Sequence, residues 1–206
     1  MADPGLLVAS RNPRKLAELR RLLAVHAPEV RVLGLDDVPA YDEPVEDQPS
    51  FEGNALLKAR AGVAATGLPT VADDSGLCVD ALNGMPGVLS ARWAGPPKSD
   101  RRNNELLLAQ LEDVPDERRR AWFECAVVLC HPDGTEIVEH GRMFGRVIRE
   151  LRGVGGFGYD VLFVPEEHDV DGRTSAELTA EQKDLISHRG RALRALAPQV
   201  AGVLSA

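Results

Sequence analysis

Two adjacent carboxylates, Asp73 and Asp74, follow a short apolar run and precede Ser75 and Gly76. The run at residues 69–72 predicts a strand, and the glycine would let the chain turn close to a ligand held by the carboxylates. Because adjacent side chains of an extended chain point to opposite faces, both carboxylates can reach one ion only if the strand ends between them. We therefore expect one aspartate to be catalytic and the other to be structural. The alternative is a turn in which the Asp and Ser side chains cap backbone groups.

The composition is typical of one globular domain, which we expect to span residues 1–206. Hydrophobic residues make up 44% of the chain and charged residues 27%. No apolar run approaches the roughly 20 residues that cross a bilayer, and the N-terminus lacks a basic leader, so we expect a cytoplasmic protein without membrane contact. A net charge of -8 argues against a nucleic-acid polymer as partner, because that affinity comes from clustered Lys and Arg. A local basic pocket would instead suit a small anion carried with a divalent cation.

The three cysteines, Cys78, Cys125 and Cys130, are too few and too scattered for a disulfide framework or a zinc pattern. We expect them to be small core residues. Cys125 and Cys130 are an odd number of positions apart on one predicted strand, so they should point to opposite faces and not pair.

A possible anion site lies where a strand predicted at residues 5–9 gives way to a helix predicted from Asn12 to about residue 25. Ser10, Asn12 and Lys15 cluster there, with Asn12 as the N-cap and Pro13 at the first helical position. The N–H groups and the dipole of a helix N-terminus favour an anion. Since the glycines of a P-loop are missing, a capped surface helix remains the alternative.

A second helix is predicted at residues 50–66, after a strand at residues 30–33 and an acidic loop at residues 36–48. Asn54 and Lys58 are four positions apart on this helix and therefore share one face. We expect that face to line a cleft, while the opposite face packs in the core; the alternative for Lys58 is a solvated surface lysine.

The second half of the chain carries a helix predicted at residues 99–111 and strands at residues 121–130 and 135–148. The intervening His-Pro-Asp-Gly at residues 131–134 is a hairpin signal, which makes an all-parallel sheet improbable. Residues 153–163 are rich in glycine and aromatic side chains, which suits either stacking on a flat ligand or a flexible loop. A last helix is predicted from about Thr179, with a break at residues 187–190.

Six segments, in chain order, resemble motifs of the inosine triphosphate pyrophosphatase family. The segments are residues 10–15, 51–55 together with Lys58, 72–77, 90–92, 156–160 and 187–190. One such motif is weak evidence, but six collinear matches over nearly the whole chain are specific.

The resemblance implies hydrolysis of ITP, dITP and XTP to the monophosphate and pyrophosphate, with Mg²⁺ as the cofactor. It implies an α/β fold, with an elongated mixed β-sheet flanked by helices and two lobes with the active site in the cleft between them. It also implies a homodimer, for which the apolar residues 85–93 would provide exposed surface. A nucleotide pyrophosphatase of another base class and a non-catalytic nucleotide-binding regulator are the alternatives.

Position by position, the resemblance implies that Asp74 and Lys58 are catalytic, with Asp74 as the proton acceptor. Glu46 and Asp74 would hold Mg²⁺. Glu46 is assigned by counting back from the motif at residue 51, so Glu43 and Asp47 remain alternatives. The implied substrate-binding residues are Ser10, Arg11, Asn12, Pro13, Arg14, Lys15, Ser75, Phe157, Gly158, Tyr159, Asp160, Lys183, His188 and Arg189.

Overall fold

The computed structural model describes residues 5–26, 28 and 30–204, except for the side chains of Arg14, Glu18, Leu22 and His26. The helices are α1 Pro13–His26, α2 Phe51–Thr66, α3 Asp100–Gln110, α4 Ala180–Ile186 and α5 His188–Leu204. The strands are β1 Gly5–Val8, β2 Arg31–Leu33, β3 Thr70–Val79, β4 Arg120–Cys130, β5 Glu136–Val147 and β6 Phe163–Pro165.

The described strands form one six-stranded sheet in the order β2-β1-β3-β4-β5-β6. Strand β1 is parallel to β2 and β3, whereas β5 is antiparallel to β6. The short turn between β4 and β5, closed by the His131 N–H donating to the Thr135 carbonyl over 2.9 Å, fixes the predicted hairpin. A mixed sheet with flanking helices is therefore confirmed, whereas the two lobes and their cleft stay predictions.

The helix signals in the sequence are confirmed at three N-termini. Ser50 and Ser99 cap α2 and α3 through their side-chain oxygens, which accept backbone N–H groups three residues on. Thr179 caps α4 in the same way, and Ser187 separates α4 from α5. The break predicted at residues 187–190 is thus present.

Two compact units can be recognised in the chain. One contains the residues up to Asp74, Cys125–His140 and the residues from Arg189 onward; the other contains Ser75–Glu124 and Gly141–His188. Strands β3, β4 and β5 each contribute residues to both units. The expectation of one domain over residues 1–206 stays a prediction.

The first unit has apolar clusters on opposite faces of its strands. One cluster joins Val71 and Val127 to the buried residues of α1 and α5, and the other joins Ala72 and Val128 to the buried alanines of α2. Consecutive residues of β3 and β4 thus alternate between the α1/α5 face and the α2 face, as the period of an extended chain requires. Cys125 lies in the first cluster and Cys130 in the second, which confirms their opposite orientation.

The second unit is built around a separate cluster that includes Leu77, Leu107, Phe123, Met143 and Phe163. These side chains come from β3, α3, β4, β5 and β6 in turn, so elements distant in the sequence share one core. None of the helices in the described part of the chain has the length and apolarity needed to cross a membrane.

Two expectations about local structure are wrong. Strand β3 does not end near the carboxylates but continues to Val79, so Gly76 lies inside a strand and not at a turn. The extension is stabilised by burial of Leu77, whose N–H donates to the Ser90 hydroxyl over 2.9 Å. Residues 85–93, expected to be exposed, contain the buried Ser90, and no large hydrophobic side chain among them is exposed.

Candidate active site

The two central aspartates point to opposite faces of β3 because the strand continues through both. Asp73 lies two residues after Val71, so its side chain points to the same α1/α5 face and is buried there. Asp74 lies two residues after Ala72, so its side chain points toward α2, and it is half-buried. Because β3 is extended at both residues, the two carboxylates cannot aim at one ion, and they have different partners.

Asp74 is held by a side chain of α2. Its Oδ2 accepts a hydrogen bond of 2.9 Å from Nδ2 of Asn54, which is fully buried. The Oδ1 atom of the same Asn54 accepts the Gln48 N–H over 3.0 Å, so the amide is fixed at both ends. Asn54 thus orients the carboxylate for which the family resemblance implies the role of proton acceptor.

Lys58 lies one turn further along the same face of α2. Its Nζ donates to Oε1 of Glu46 and to the Asp73 carbonyl oxygen, both over 2.7 Å. Burial opposes the charged form of Lys58, but the negative charge of Asp73, the hydrogen bond to Glu46 and the charge of Asp74 together raise its pKa above the ordinary value. The ammonium group is therefore positively charged at neutral pH and stands among three carboxylates.

The acidic loop gives different partners to its three candidate metal ligands. Glu43 forms an ion pair with Arg11, and Asp47 accepts a hydrogen bond from the Gln48 side chain. Glu46 is the candidate that contacts Lys58. Glu46 therefore lies beside Lys58, and its role as a metal ligand stays a prediction.

The donor set fits a divalent cation that is bound together with phosphate. No cluster of three or more His, Cys, Asp or Glu side chains capable of holding a metal occurs within the described residues. Mg²⁺ commonly binds through one or two carboxylates plus water and substrate phosphates, so it does not require such a cluster. Glu46 and Asp74 both lie close enough to influence the pKa of Lys58.

Asp73 accepts hydrogen bonds from two cationic side chains. Its Oδ2 accepts from Nζ of Lys15 over 2.7 Å and from Nε of Arg189 over 3.2 Å. Burial alone would raise the pKa of Asp73, but the positive charges of Lys15, Arg189 and Lys58 hold it well below its usual range. The carboxylate is ionised, and it connects two of the predicted substrate-binding residues.

The segment before α1 is arranged around a local hydrogen bond. The Ser10 hydroxyl accepts the Asn12 N–H over 3.2 Å, and α1 begins at Pro13 as predicted. The Arg11 side chain is exposed and pairs with Glu43. The side chain of Arg14 lies outside the described residues. The Lys15 side chain contacts Asp73.

In the second unit, the glycine-rich segment forms a tight loop closed by Asp160. Its Oδ2 accepts the Phe157 N–H over 2.8 Å and pairs with Nζ of Lys183 over 2.5 Å. The same ammonium group lies 4.9 Å from the centroid of the Phe157 ring. Gly156 has a φ of 70°, and a Cβ there would collide with Asp160. The loop therefore needs both its glycine and its aspartate.

Two residues of α3 hold this loop and were missed in the sequence. The Gly158 N–H donates to Oδ2 of Asp100 over 2.8 Å, and Nδ2 of Asn104 donates to the Gly158 carbonyl over 2.9 Å. The buried Tyr159 hydroxyl donates to the Ser90 carbonyl over 2.9 Å. No sequence signal joins these positions, because the contacts span more than fifty residues.

The motif at residues 187–190 places His188 at the first position of α5. Its ring is buried and stacks on Phe123, with 5.0 Å between centroids and 13° between planes. Ser75, the remaining predicted substrate-binding residue, is half-buried in β3 directly after Asp74. In the second unit, contacts therefore join Phe157, Asp160 and Lys183, while His188 contacts Phe123.

Comparison with known proteins gives a family assignment. A model of the Ham1 family matches residues 6–199, so the chain belongs to the Ham1 family, and the resemblance drawn from the six motifs is confirmed. A relative from Nocardia farcinica named dITP/XTP pyrophosphatase is 61% identical over 204 residues, covering 98% of each chain.

Two solved structures are similar to this chain over nearly their full length. The nucleoside-triphosphatase, or dITP/XTP pyrophosphatase, of Mycobacterium abscessus is 58% identical with a TM-score of 0.79, covering 94% of this chain and 99% of that chain. The Ham1 protein of Staphylococcus aureus is 38% identical with a TM-score of 0.86, and the match covers 97% of this chain and 99% of that chain.

Proposed function

We propose that this protein is a nucleoside-triphosphate pyrophosphatase that hydrolyses ITP, dITP and XTP to the monophosphate and pyrophosphate. The names of its relatives from Nocardia farcinica and Mycobacterium abscessus support this activity. Those names also favour it over a non-catalytic regulator and over a pyrophosphatase of another base class.

The observation that carries the proposal is the environment of Asp74. A half-buried carboxylate is oriented by the Asn54 amide at 2.9 Å, and it lies within electrostatic reach of the Lys58 ammonium. Hydrolysis of a phosphoanhydride needs an oriented base for water and positive charge for the phosphates. This one group of side chains provides both.

Glu46 and Asp74 are the residues that would hold Mg²⁺. When bound, the ion neutralises phosphate charge and favours the ionised form of a neighbouring carboxylate. Asp74 accepts the proton of the attacking water as the phosphoanhydride bond between the α- and β-phosphates breaks and pyrophosphate leaves. Lys58, kept charged by its acidic neighbours, compensates negative charge that develops on the phosphates.

The phosphate contacts proposed for the first unit come from the loop before α1. Ser10, Asn12 and Lys15 precede or occupy the first turn of that helix, where N–H groups and the helix dipole favour an anion. In the second unit, Lys183 is the corresponding cation, and its pairing with Asp160 keeps it beside the Phe157 loop. Both lysines are partly buried, which strengthens their interaction with an anion.

Base selectivity is assigned to His188 and Arg189. Hypoxanthine and xanthine present a 6-oxo acceptor where adenine presents an amino donor, so hydrogen-bond donors from these residues favour the oxo base. An adenine amino group facing donors would be a buried mismatch that costs on the order of several kcal/mol. The exposed ring of Phe157 supplies a stacking surface for the base.

A substrate panel tests the proposal. The protein with Mg²⁺ should release pyrophosphate, and not orthophosphate, from ITP, dITP and XTP, with an efficiency on ATP lower by more than about tenfold. Binding of ITP without product would show a regulator, and faster hydrolysis of a pyrimidine triphosphate would show another base class. Repeating the panel with Mn²⁺ and Ca²⁺ determines the metal preference.

A homodimer without disulfides and a cytoplasmic location complete the proposal. The family resemblance supports the dimer, and the three cysteines are free. A monomeric mass at micromolar concentration in light scattering, or a loss of mass on reduction, would contradict the proposed assembly.

A further inference from the structure

We infer that Asp73 is a positioning residue that holds Lys15 and Arg189 in one arrangement, and thereby links phosphate binding to base selection. The inference rests on the proposed function, which assigns Lys15 to the triphosphate and Arg189 to the base. It replaces the expectation that Asp73 is only a structural neighbour of Asp74.

A single oxygen atom connects the two cations. Oδ2 of Asp73 accepts from Lys15 over 2.7 Å and from Arg189 over 3.2 Å. The side chains of Asp73 and Arg189 are each 9% exposed, and that of Lys15 is 19% exposed. Because both cations use the same oxygen, displacement of this carboxylate disturbs both of them together.

The fold explains why these residues meet. The alternation of β3 directs Asp73 to the face on which α1 and α5 pack. Lys15 is in the first turn of α1, and Arg189 is the second residue of α5. One strand residue thus contacts a side chain from the first turn of each of two helices that carry predicted ligand contacts.

The cluster differs from an ordinary buried ion pair because two cations share one carboxylate oxygen. The Lys58 ammonium, which pairs with Glu46, also donates to the Asp73 carbonyl over 2.7 Å. The surroundings on this face are apolar and include Leu19, Val127 and Leu193. Removal of the carboxylate would take this partner from two largely buried cations, which is unfavourable, so Asp73 keeps them in place.

The positioning role makes a specific kinetic prediction. Asp73→Asn should raise the KM for ITP by about tenfold or more, because Lys15 loses its orientation. It should also lower the ratio of kcat/KM for ITP to that for ATP, since Arg189 is released too. A residue with a merely structural role would reduce the amount of folded enzyme but leave both KM and this ratio unchanged. Asp36→Asn, at an exposed position outside the site, is the matched control.

A double-mutant cycle tests the link to Lys15. Lys15→Met and Asp73→Asn should each weaken pyrophosphate binding measured by calorimetry, and the double variant should be about as weak as Lys15→Met alone. Full additivity would overturn the inference. If Asp73→Asn does not fold, Asp73→Glu keeps the charge but moves the carboxylate outward, and it should still raise KM and lower the ITP-to-ATP ratio. Unchanged KM and ratio in Asp73→Glu would overturn the inference as well.

Assays of the wild-type protein distinguish a failure of this inference from a failure of the proposed function. If the wild type does not release pyrophosphate from ITP, the proposed function is wrong and the inference is wrong with it. If the wild type is active and selective but Asp73→Asn, in folded form, retains its KM and its selectivity, only the positioning role of Asp73 is wrong.

Discussion

The rings of Phe123 and His188 are stacked, with centroids 5.0 Å apart and planes inclined by 13°. Phe123 also contacts Phe163 edge-on at 4.8 Å. The orientation of His188, to which we assign base recognition, is therefore fixed by an aromatic cluster in the core of the second unit.

Replacement of Phe123 should weaken ITP binding through His188. In Phe123→Leu the site stays apolar, but the flat surface against the imidazole is lost, so we expect a KM for ITP raised by about three- to tenfold with little change in kcat. The aromatic contacts are worth about 0.5–1.5 kcal/mol each, so Tm should fall by a few degrees. Phe144→Leu, on an exposed ring of β5, is the control and should leave KM unchanged. An unaltered KM in Phe123→Leu would refute this role.

Asp74→Asn should abolish most turnover and leave binding largely intact. Asn has nearly the shape of Asp but neither its charge nor its basicity, so kcat should fall by about 10²-fold or more. Affinity for ITP should persist in part because Lys15 and Lys183 remain. Stopped-flow kinetics and calorimetry measure the two effects, with Asp80→Asn at an exposed position as the control. Near-normal turnover in a folded Asp74→Asn variant would exclude Asp74 as the base.

Arg119 should be essential for stability but not for the chemistry. This fully buried side chain donates to the carbonyl oxygens of Leu111, Val147 and Ile148 over 2.6, 3.0 and 3.3 Å. Arg119→Met removes all three of these hydrogen bonds from the protein interior, which we expect to cost about 3 kcal/mol or more and to lower Tm by about 6–12 °C. The exposed neighbour provides the control Arg118→Met, whose Tm should match the wild type. KM of the folded fraction should not change in either variant.

The hairpin turn should contribute a pH-dependent stabilisation through Asp133. The hydrogen bonds from Thr135 and the contact with His131 lower the pKa of Asp133 to about 2. Because the folded-state pKa is below the unfolded value of about 3.9, the stabilisation is present above about pH 4 and is lost as the pH falls toward 2. The Tm difference between wild type and Asp133→Asn should therefore shrink from about pH 5 to about pH 2. A difference that is constant over this range would contradict the assignment.

The sequence by itself determined the elements and most candidate residues. Helix starts are predicted at residue 50, residue 99 and about residue 179, and Ser50, Ser99 and Thr179 are the caps found there. Cap signals are local, so they specify helix starts without the rest of the chain. The same holds for the hairpin turn at residues 131–134. The family resemblance was equally accessible, because it rests on six short motifs in fixed order, and the match of the Ham1 family model to residues 6–199 confirms it.

Tertiary structure alone decided which of these residues act together. Whether β3 ends at Gly76 depends on burial of Leu77 and on its hydrogen bond with Ser90. Neither can be predicted from the presence of a glycine at residue 76. The contact of Asp73 with Lys15 and Arg189 spans 58 and 116 residues, and it exists because α1 and α5 pack on the same face of the sheet. Side-chain contacts across such separations follow from packing, which no local pattern encodes.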